Sequence, residues 1–144
     1  MDLKHPSLVK CPVAHGLKSV GDPWSILILR DAFAGLTRFD QFRQNLGIAP
    51  TMLTRRLAAL TSDDLLAKRL YSERPPREEY VLTRAGQDFM PVLMMIGAWA
   101  HQHSGTDLAR FIDDTTGLEI EPIVVDAVSG ARFGTRPIRL SERS

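Results

Sequence analysis

Five residues of this chain combine a reactive or charged side chain with telling spacing. Arg55 and Arg56 are adjacent in a segment with helical periodicity, so they project about 100° apart. Arg74 and Arg77 flank a proline pair in Ser72-Glu73-Arg74-Pro75-Pro76-Arg77. Guanidinium groups on a short helix and on a neighbouring loop are the chemistry of phosphate and base-edge recognition. Arg38, just before another helical segment, can join backbone amides in holding a phosphate. Thr51 and Thr54 offer a hydroxyl to phosphate or a methyl to thymine. The duller alternative for Arg55 and Arg56 is a solvated helix face with intrahelical salt bridges, and for Arg74 and Arg77 it is pairing with Glu73, Glu78 or Glu79. Arg30 follows an apolar run and precedes Asp31, which reads as a buried or interfacial ion pair.

Cys11 is the fifth residue. Pro12 after it marks a helix start and puts the thiol at the N-cap. There the helix dipole, the free amides of Val13 and Ala14 and the neighbouring Lys10 favour the thiolate, the form that oxidants, quinones and aldehydes attack. The alternative is a covered, inert cap. His15, four residues on, makes Cys11–His15 a conceivable pair of metal ligands, but no CxxC completes a site. His101 and His103 diverge on a helix. No HExxH, GxSxG or phosphate-loop pattern is present, and the carboxylates sit beside one another in sequence rather than spaced as an acid–base couple. The reading is therefore not an enzyme, with no cofactor and no metal.

These residues need elements to hold them. Val13, Leu17 and Val20 give the first helix one apolar face, and Gly21 stops it. Asp22-Pro23 opens a second helix, in which Trp24, Ile26, Leu27, Ile28, Leu29 and Phe33 leave little polar surface; Gly35 ends it. Thr37 caps a third helix over 37–46. Gly47-Ile48-Ala49 is the turn. Pro50 begins a fourth helix, with Leu53, Leu57 and Leu60 facing inward and Thr51, Thr54, Arg55 and Ala58 on other faces. Strands are expected over 66–71 and 78–82, with six residues between them, too many for a tight turn. Thr83 caps a last helix reaching about residue 103, roughly 30 Å long. Phe89, Val92, Leu93, Ile96 and Trp99 occupy more than one of its faces, which calls for a second subunit.

Residues 104–144 read as an appendage: a short helix over 107–113, then a β-hairpin turning at Ser129-Gly130, with residues 141–144 disordered. No internal repeat is apparent. The fold class expected is α+β: a winged helix-turn-helix, mainly α with a small β-hairpin wing, dimerising through a long C-terminal helix. Its domains are 1–103, for DNA binding and dimerisation, and 104–144.

Composition agrees without deciding. A chain of 144 residues with 44% hydrophobic and 24% charged residues suits one globular domain with an attachment. The net charge is only +1, yet residues 37–60 hold four arginines against one acid, Asp40. A local basic face steers a phosphate backbone. One cysteine excludes an intramolecular disulfide, the first ten residues do not look like a signal peptide, and the longest apolar stretch, 89–100, is too short for a bilayer. A cytoplasmic protein is expected.

Taken in order, Cys11-Pro12-Val13, Gly21-Asp22 with Trp24-Ser25, Ile28-Leu29-Arg30-Asp31, Arg38-Phe39, Pro50 with Met52-Leu53, Arg56-Leu57, Pro75-Pro76-Arg77, Glu79-Tyr80 and Leu82-Thr83 resemble the HxlR family of bacterial transcriptional regulators. The resemblance spans roughly residues 11–102. It implies a fold similar to MarR-type winged helices, a homodimer on a palindromic double-stranded DNA operator, and Cys11 at the position where several members sense oxidants or electrophiles. The implied function is a regulator, a repressor, answering a redox, electrophile or small-molecule signal. Three positions depart from the family pattern: Pro23 for lysine, Asp64 for glycine at a helix end, and Ala49-Pro50-Thr51 for Ser-Pro-Lys/Arg. The last removes a side-chain cap and a phosphate-reaching cation. That leaves room for a winged-helix protein-interaction module. A ligand sensor is a further reading, with Met90, Met94 and Met95 lining a pocket, although their spacing is equally that of core.

Overall fold

The computed structural model describes residues 3–134 and 136–141. The expected disorder of residues 141–144 falls mostly on positions 142–144, outside the described residues. The chain divides into two compact units, Met1–Met90 and Pro91–Ser144. Among the described residues, no helix is long and apolar enough to cross a membrane.

The first unit runs α1 (Pro6–Val9), α2 (Pro12–Val20), α3 (Pro23–Phe33), α4 (Phe39–Leu46), α5 (Pro50–Ser62), β1 (Leu66–Glu73), β2 (Pro76–Leu82) and α6 (Arg84–Gln87). The short α1 was not legible in the sequence; the His5 ring starts it by accepting from the Ser7 amide at 3.3 Å. Proline stands in the first turn of α2, α3 and α5, where its missing N–H costs nothing. Asp22 caps α3 by accepting from the amides of Trp24 and Ser25 at 2.9 and 3.2 Å.

The helix ends follow the same logic. Gly35 (φ +93°) closes α3, with Leu36 N–H donating to Asp31 and Gly35 N–H to Ala32. Asp64, where the resemblance expects glycine, has φ +60° and closes α5 in the same motif: Leu65 N–H donates to the Leu60 carbonyl and Asp64 N–H to that of Thr61. α4 corrects the sequence reading. Its cap residue is Arg38, because the Gln41 side-chain oxygen accepts from the amides of both Thr37 and Arg38, at 3.0 and 2.9 Å. The Thr37 hydroxyl is thereby free for another partner.

Ile28, Leu29, Phe42, Leu53, Leu57, Leu60 and Leu66 are shut off from solvent and form the core of this unit. α3 is its centre and packs on α2, α4, α5 and β2. Truncating Phe42 or Leu57 to alanine would cost about 2–5 kcal/mol, since both side chains are fully buried and truncation leaves a void. Trp24, Ile26, Leu27 and Phe33 are only half-buried, so α3 is less completely enclosed than its composition suggests.

β1 and β2 pair antiparallel from Leu66↔Leu82 to Glu73↔Pro76. The loop is therefore two residues, Arg74 and Pro75, joined by a cis bond, and not the six expected. The strands run further because Pro76 sits at a strand's first position, where a missing N–H is tolerated. A shift in register between Leu70 and Ser72 leaves Tyr71 as a bulge.

The single long helix expected from Thr83 is two. α6 ends at Gln87, and α7 (Met90–His103) opens the second unit. Pro91 explains the break: it has no N–H to donate to the Gln87 carbonyl, so a continuous helix would lose a bond there.

The second unit overturns two expectations. No helix forms over 107–113, because the Phe111 carbonyl is engaged by Ile120 N–H at 2.8 Å and Ile112 bridges Glu119. In addition, the segment is an internal repeat. Asp113 accepts from the amides of Thr115 and Thr116, and Gly117 N–H donates back to the Asp113 carbonyl. Thirteen positions on, Asp126 accepts from Val128 and Ser129, and Gly130 N–H donates to Asp126. The bridge Ile112↔Glu119 recurs as Val125↔Arg132, and the two glycines have φ +70° and +69°. The expected hairpin at Ser129-Gly130 exists only as the mouth of the second loop. Sequence identity between the copies is confined to the aspartate and glycine, which is why the repeat went unseen.

Candidate nucleic-acid interface

α4, the turn at Gly47 and α5 form the helix-turn-helix. Gly47 is left-handed (φ +62°), and Ile48 is buried, pinning the turn to the core. Ala49 gives α5 no side-chain cap, and its neighbours Pro50 and Thr51 are exposed. The first-turn amides of α5 are thus open to an anion. Thr54 is exposed, and its hydroxyl donates to the Pro50 carbonyl at 2.9 Å.

The two adjacent arginines separate sharply. Arg55 is exposed and has no carboxylate within ion-pair distance among the described residues. Arg56 is turned inward, 30% exposed, with Nε 3.5 Å from the Asp22 carboxylate that caps α3. Its Nε is buried without a hydrogen bond. Arg56 therefore ties α5 to α3 and is not on the outer face.

In the wing, the acids take the strand cations. Lys68 pairs with Glu78 at 3.6 Å and Arg69 with Glu79 at 2.7 Å. Arg74 and Arg77 at the tip are exposed and unpaired among the described residues. Arg38 lies over the Tyr71 ring, 4.3 Å from its centroid, so the bulge that turns Tyr71 out also seats this exposed cation.

Thr37 ties the wing to the helix-turn-helix. Its hydroxyl donates to Glu79 at 2.7 Å, and its carbonyl accepts from Tyr80 N–H at 2.7 Å. The Thr37 hydrogen bond first, then Arg69, hold the Glu79 carboxyl below its ordinary range. Sequence reasoning missed this cluster: Thr37 and Glu79 are 42 positions apart, and no local pattern announces them. It also missed Asn45, which donates to Asp31 at 2.8 Å while Arg30 pairs with that buried carboxylate at 2.7 Å. The ion pair of Arg30 with Asp31 itself is as expected.

Cys11 caps α2; its Sγ accepts from Ala14 N–H at 3.5 Å, and the residue is half-buried. His15 is engaged elsewhere, with Nε2 2.8 Å from the Val9 carbonyl. On α7, Val92, Ile96 and Trp99 are exposed, Leu93 is buried and Met94 and Met95 are half-buried. Phe89, between α6 and α7, is half-buried.

A central helix packed by its neighbours, an outward helix after a left-handed turn and a two-stranded wing tethered beside it define a winged helix-turn-helix protein. The chain belongs to the HxlR-like helix-turn-helix family, whose profile matches residues 19–107. It is 40% identical over 91 residues to Mb3122 of Mycobacterium bovis, an uncharacterized HTH-type transcriptional regulator; the match takes in 63% of this chain and 58% of that one, so the chain spans little more than half of that relative's length. Among solved structures it is similar to PA1607, reported as a candidate transcription factor, with TM-score 0.83, 33% identity and coverage of 93% and 96% of the two chains. It is also similar to the reduced form of the redox regulator HypR, with TM-score 0.61 and 28% identity. There the match covers 66% of this chain but 95% of HypR.

Proposed function

We propose that this chain is a sequence-specific double-stranded DNA-binding regulator that represses transcription as a homodimer on a palindromic operator. One observation carries the reading: Arg55, Arg74 and Arg77 are exposed and unpaired, while nearby Lys68 and Arg69 are neutralised by Glu78 and Glu79. Cations left without partners on a winged helix-turn-helix suit phosphates. Pro50, Thr51, Thr54 and Arg55 enter the major groove, Arg55 reading a base, and Arg38, Arg74 and Arg77 hold the backbone. Arg56 acts from behind, fixing the angle of α5. Residues 1–103 bind DNA and dimerise, with Phe89, Val92, Leu93, Ile96 and Trp99 in the interface, and half-sites repeat about one DNA turn apart.

A mobility shift on DNA upstream of the chain's own gene, at 50 and 200 mM salt, tests this. Binding that is lost with salt and abolished by Arg55→Ala supports it. No shift on any upstream fragment at low salt favours a protein-interaction module instead.

The signal we propose is a thiol-reactive oxidant or electrophile at Cys11. Support comes from the half-buried thiol at a helix N-terminus and from the likeness to a redox regulator. With one cysteine, the product is an intersubunit disulfide, a mixed disulfide or an adduct. Diamide should release DNA from the wild type and not from Cys11→Ser. Release from both would retire the thiol and leave a small-molecule inducer.

A further inference from the structure

Arg38 is exposed, and among the described residues its guanidinium has neither a hydrogen bond nor a carboxylate partner. The acid of its cluster is Glu79, and both oxygens of that carboxylate are engaged. Oε1 accepts from Arg69 at 2.9 and 2.7 Å, and Oε2 accepts from the Thr37 hydroxyl at 2.7 Å. After the Thr37 hydrogen bond and Arg69, Arg38 adds only a through-space contribution to holding the Glu79 carboxyl low.

What holds Arg38 is the face of Tyr71, whose centroid lies 4.3 Å from the guanidinium carbon. A ring face is a different seat from a carboxylate. It attracts the cation through the ring quadrupole, but it leaves the charge unneutralised and spends no N–H donor on an ionic hydrogen bond. An unseated arginine must give up the freedom of several torsions to grip a phosphate, and a seated one gives up less.

The seat is made by an irregularity in the wing. Leu70 pairs with Glu78 but Ser72 pairs with Arg77, so Tyr71 is the extra residue of the bulge. Side chains alternate between faces along a strand, so a hairpin without the extra residue would present its β1 side chains in a different sense from this point on. Thr37 supplies the other half of the arrangement. It fastens the start of α4 to β2 at Glu79 and Tyr80, which leaves the next residue, Arg38, beside Tyr71. Tyr71 is 37% exposed and the wing is already latched through Thr37, so the ring is poorly explained as a prop for the hairpin.

We infer that Tyr71 is a positioning residue for operator binding: its ring presents Arg38 to a phosphate, so the backbone contact at the start of α4 depends on the wing. The inference rests on the DNA-binding reading proposed above and extends it to an uncharged residue. Tyr71 has no charge to offer a phosphate, and its contribution passes through Arg38.

Full-length wild type and variants are titrated by fluorescence anisotropy against one labelled operator at fixed salt, well below the melting temperature of each. Tyr71→Ala should weaken binding by about 5- to 30-fold, the worth of two exposed cation–π contacts in a dimer. Tyr71→Leu should do the same, because it keeps apolar bulk and loses the π face. Tyr71→Phe should stay within about twofold of wild type, since the face is intact. The double variant decides: in an Arg38→Ala background, Tyr71→Ala should change binding by less than about twofold. A merely structural role would lower affinity equally in both backgrounds and leave Tyr71→Leu close to wild type, and either result overturns the inference. So does a Tyr71→Phe as weak as Tyr71→Ala, which would make the phenol hydroxyl the contact. If wild type binds no upstream fragment, the DNA-binding reading falls and the inference with it. If wild type binds and the pair shows no coupling, the inference alone falls.

Discussion

Arg77 and Arg56 should be opposites in a salt titration. Each protomer offers Arg38, Arg74 and Arg77 as exposed cations for the backbone, so a dimer offers six. If each neutralises one phosphate at about 0.9 counterion apiece, log K should fall with log salt at a slope of about −5. Raising salt from 50 to 200 mM would then weaken binding by about 10³-fold. Arg77→Ala removes two phosphate contacts per dimer and should make the slope shallower by about 2. Arg56→Ala should leave the slope alone, because Arg56 is spent on Asp22 3.5 Å away. Its effect belongs to stability: a lower melting temperature and a binding loss that is the same at every salt concentration. Fluorescence anisotropy on a labelled operator, over five salt concentrations and well below the melting point of each variant, measures these slopes. An Arg56→Ala slope as shallow as that of Arg77→Ala would refute the division into outer and inner cations. An unchanged Arg77→Ala slope would remove the wing from the interface.

The Glu79 carboxyl is held below its ordinary value of 4.5 by Thr37 and Arg69, so its contribution to stability is present above that value and is lost as pH falls through the folded-state pKa. Glu79→Gln should therefore cost stability at pH 7, with a difference from wild type that shrinks below about pH 4.5; urea melts across that range check it. Asp64→Gly should raise the melting temperature, by a stability gain of about 0.5–1 kcal/mol, because it relieves a side chain held at φ +60°; an unchanged or lower melting temperature would mean that aspartate is at ease there. Gly86→Ala should destabilise by about 1–3 kcal/mol in denaturant melts, since the added Cβ would collide with the Leu65 carbonyl; a neutral result would show that α6 can shift freely.

Local signals carried most of the first unit. Prolines, caps and the four-then-three spacing of Leu53, Leu57 and Leu60 sufficed to place α2, α3 and α5. The positive φ of Asp64 followed from a departure at a single position. What failed was long-range or cooperative. Pro91 lies inside an apolar run whose pattern alone suggests one continuous helix, which hides the break before α7. Pro75-Pro76 reads as loop in the sequence, though a strand admits proline at its first position, where Pro76 stands. The bulge at Tyr71 and the Thr37–Glu79 hydrogen bond depend on how β1 and β2 pair and dock, which no single segment encodes. Arg56 could not be told from Arg55 without knowing that Asp22 lies beneath it. In residues 104–141, alternating apolar residues suggested a ladder, whereas the backbone closes two small loops on their own aspartates. Two bases for the loops, aspartate and glycine, are too few to reveal a repeat by eye.

Thr37 grips β2 at Glu79 and Tyr80, and the tip at Arg74 to Arg77 lies beyond that grip. The tip is thus an interchangeable part. Other tip sequences can be grafted between Ser72 and Glu78 while the latch keeps the hairpin from shearing along α4. A lineage could retune the wing's contacts in this way, one short cassette at a time, without disturbing the angle at which α5 is presented.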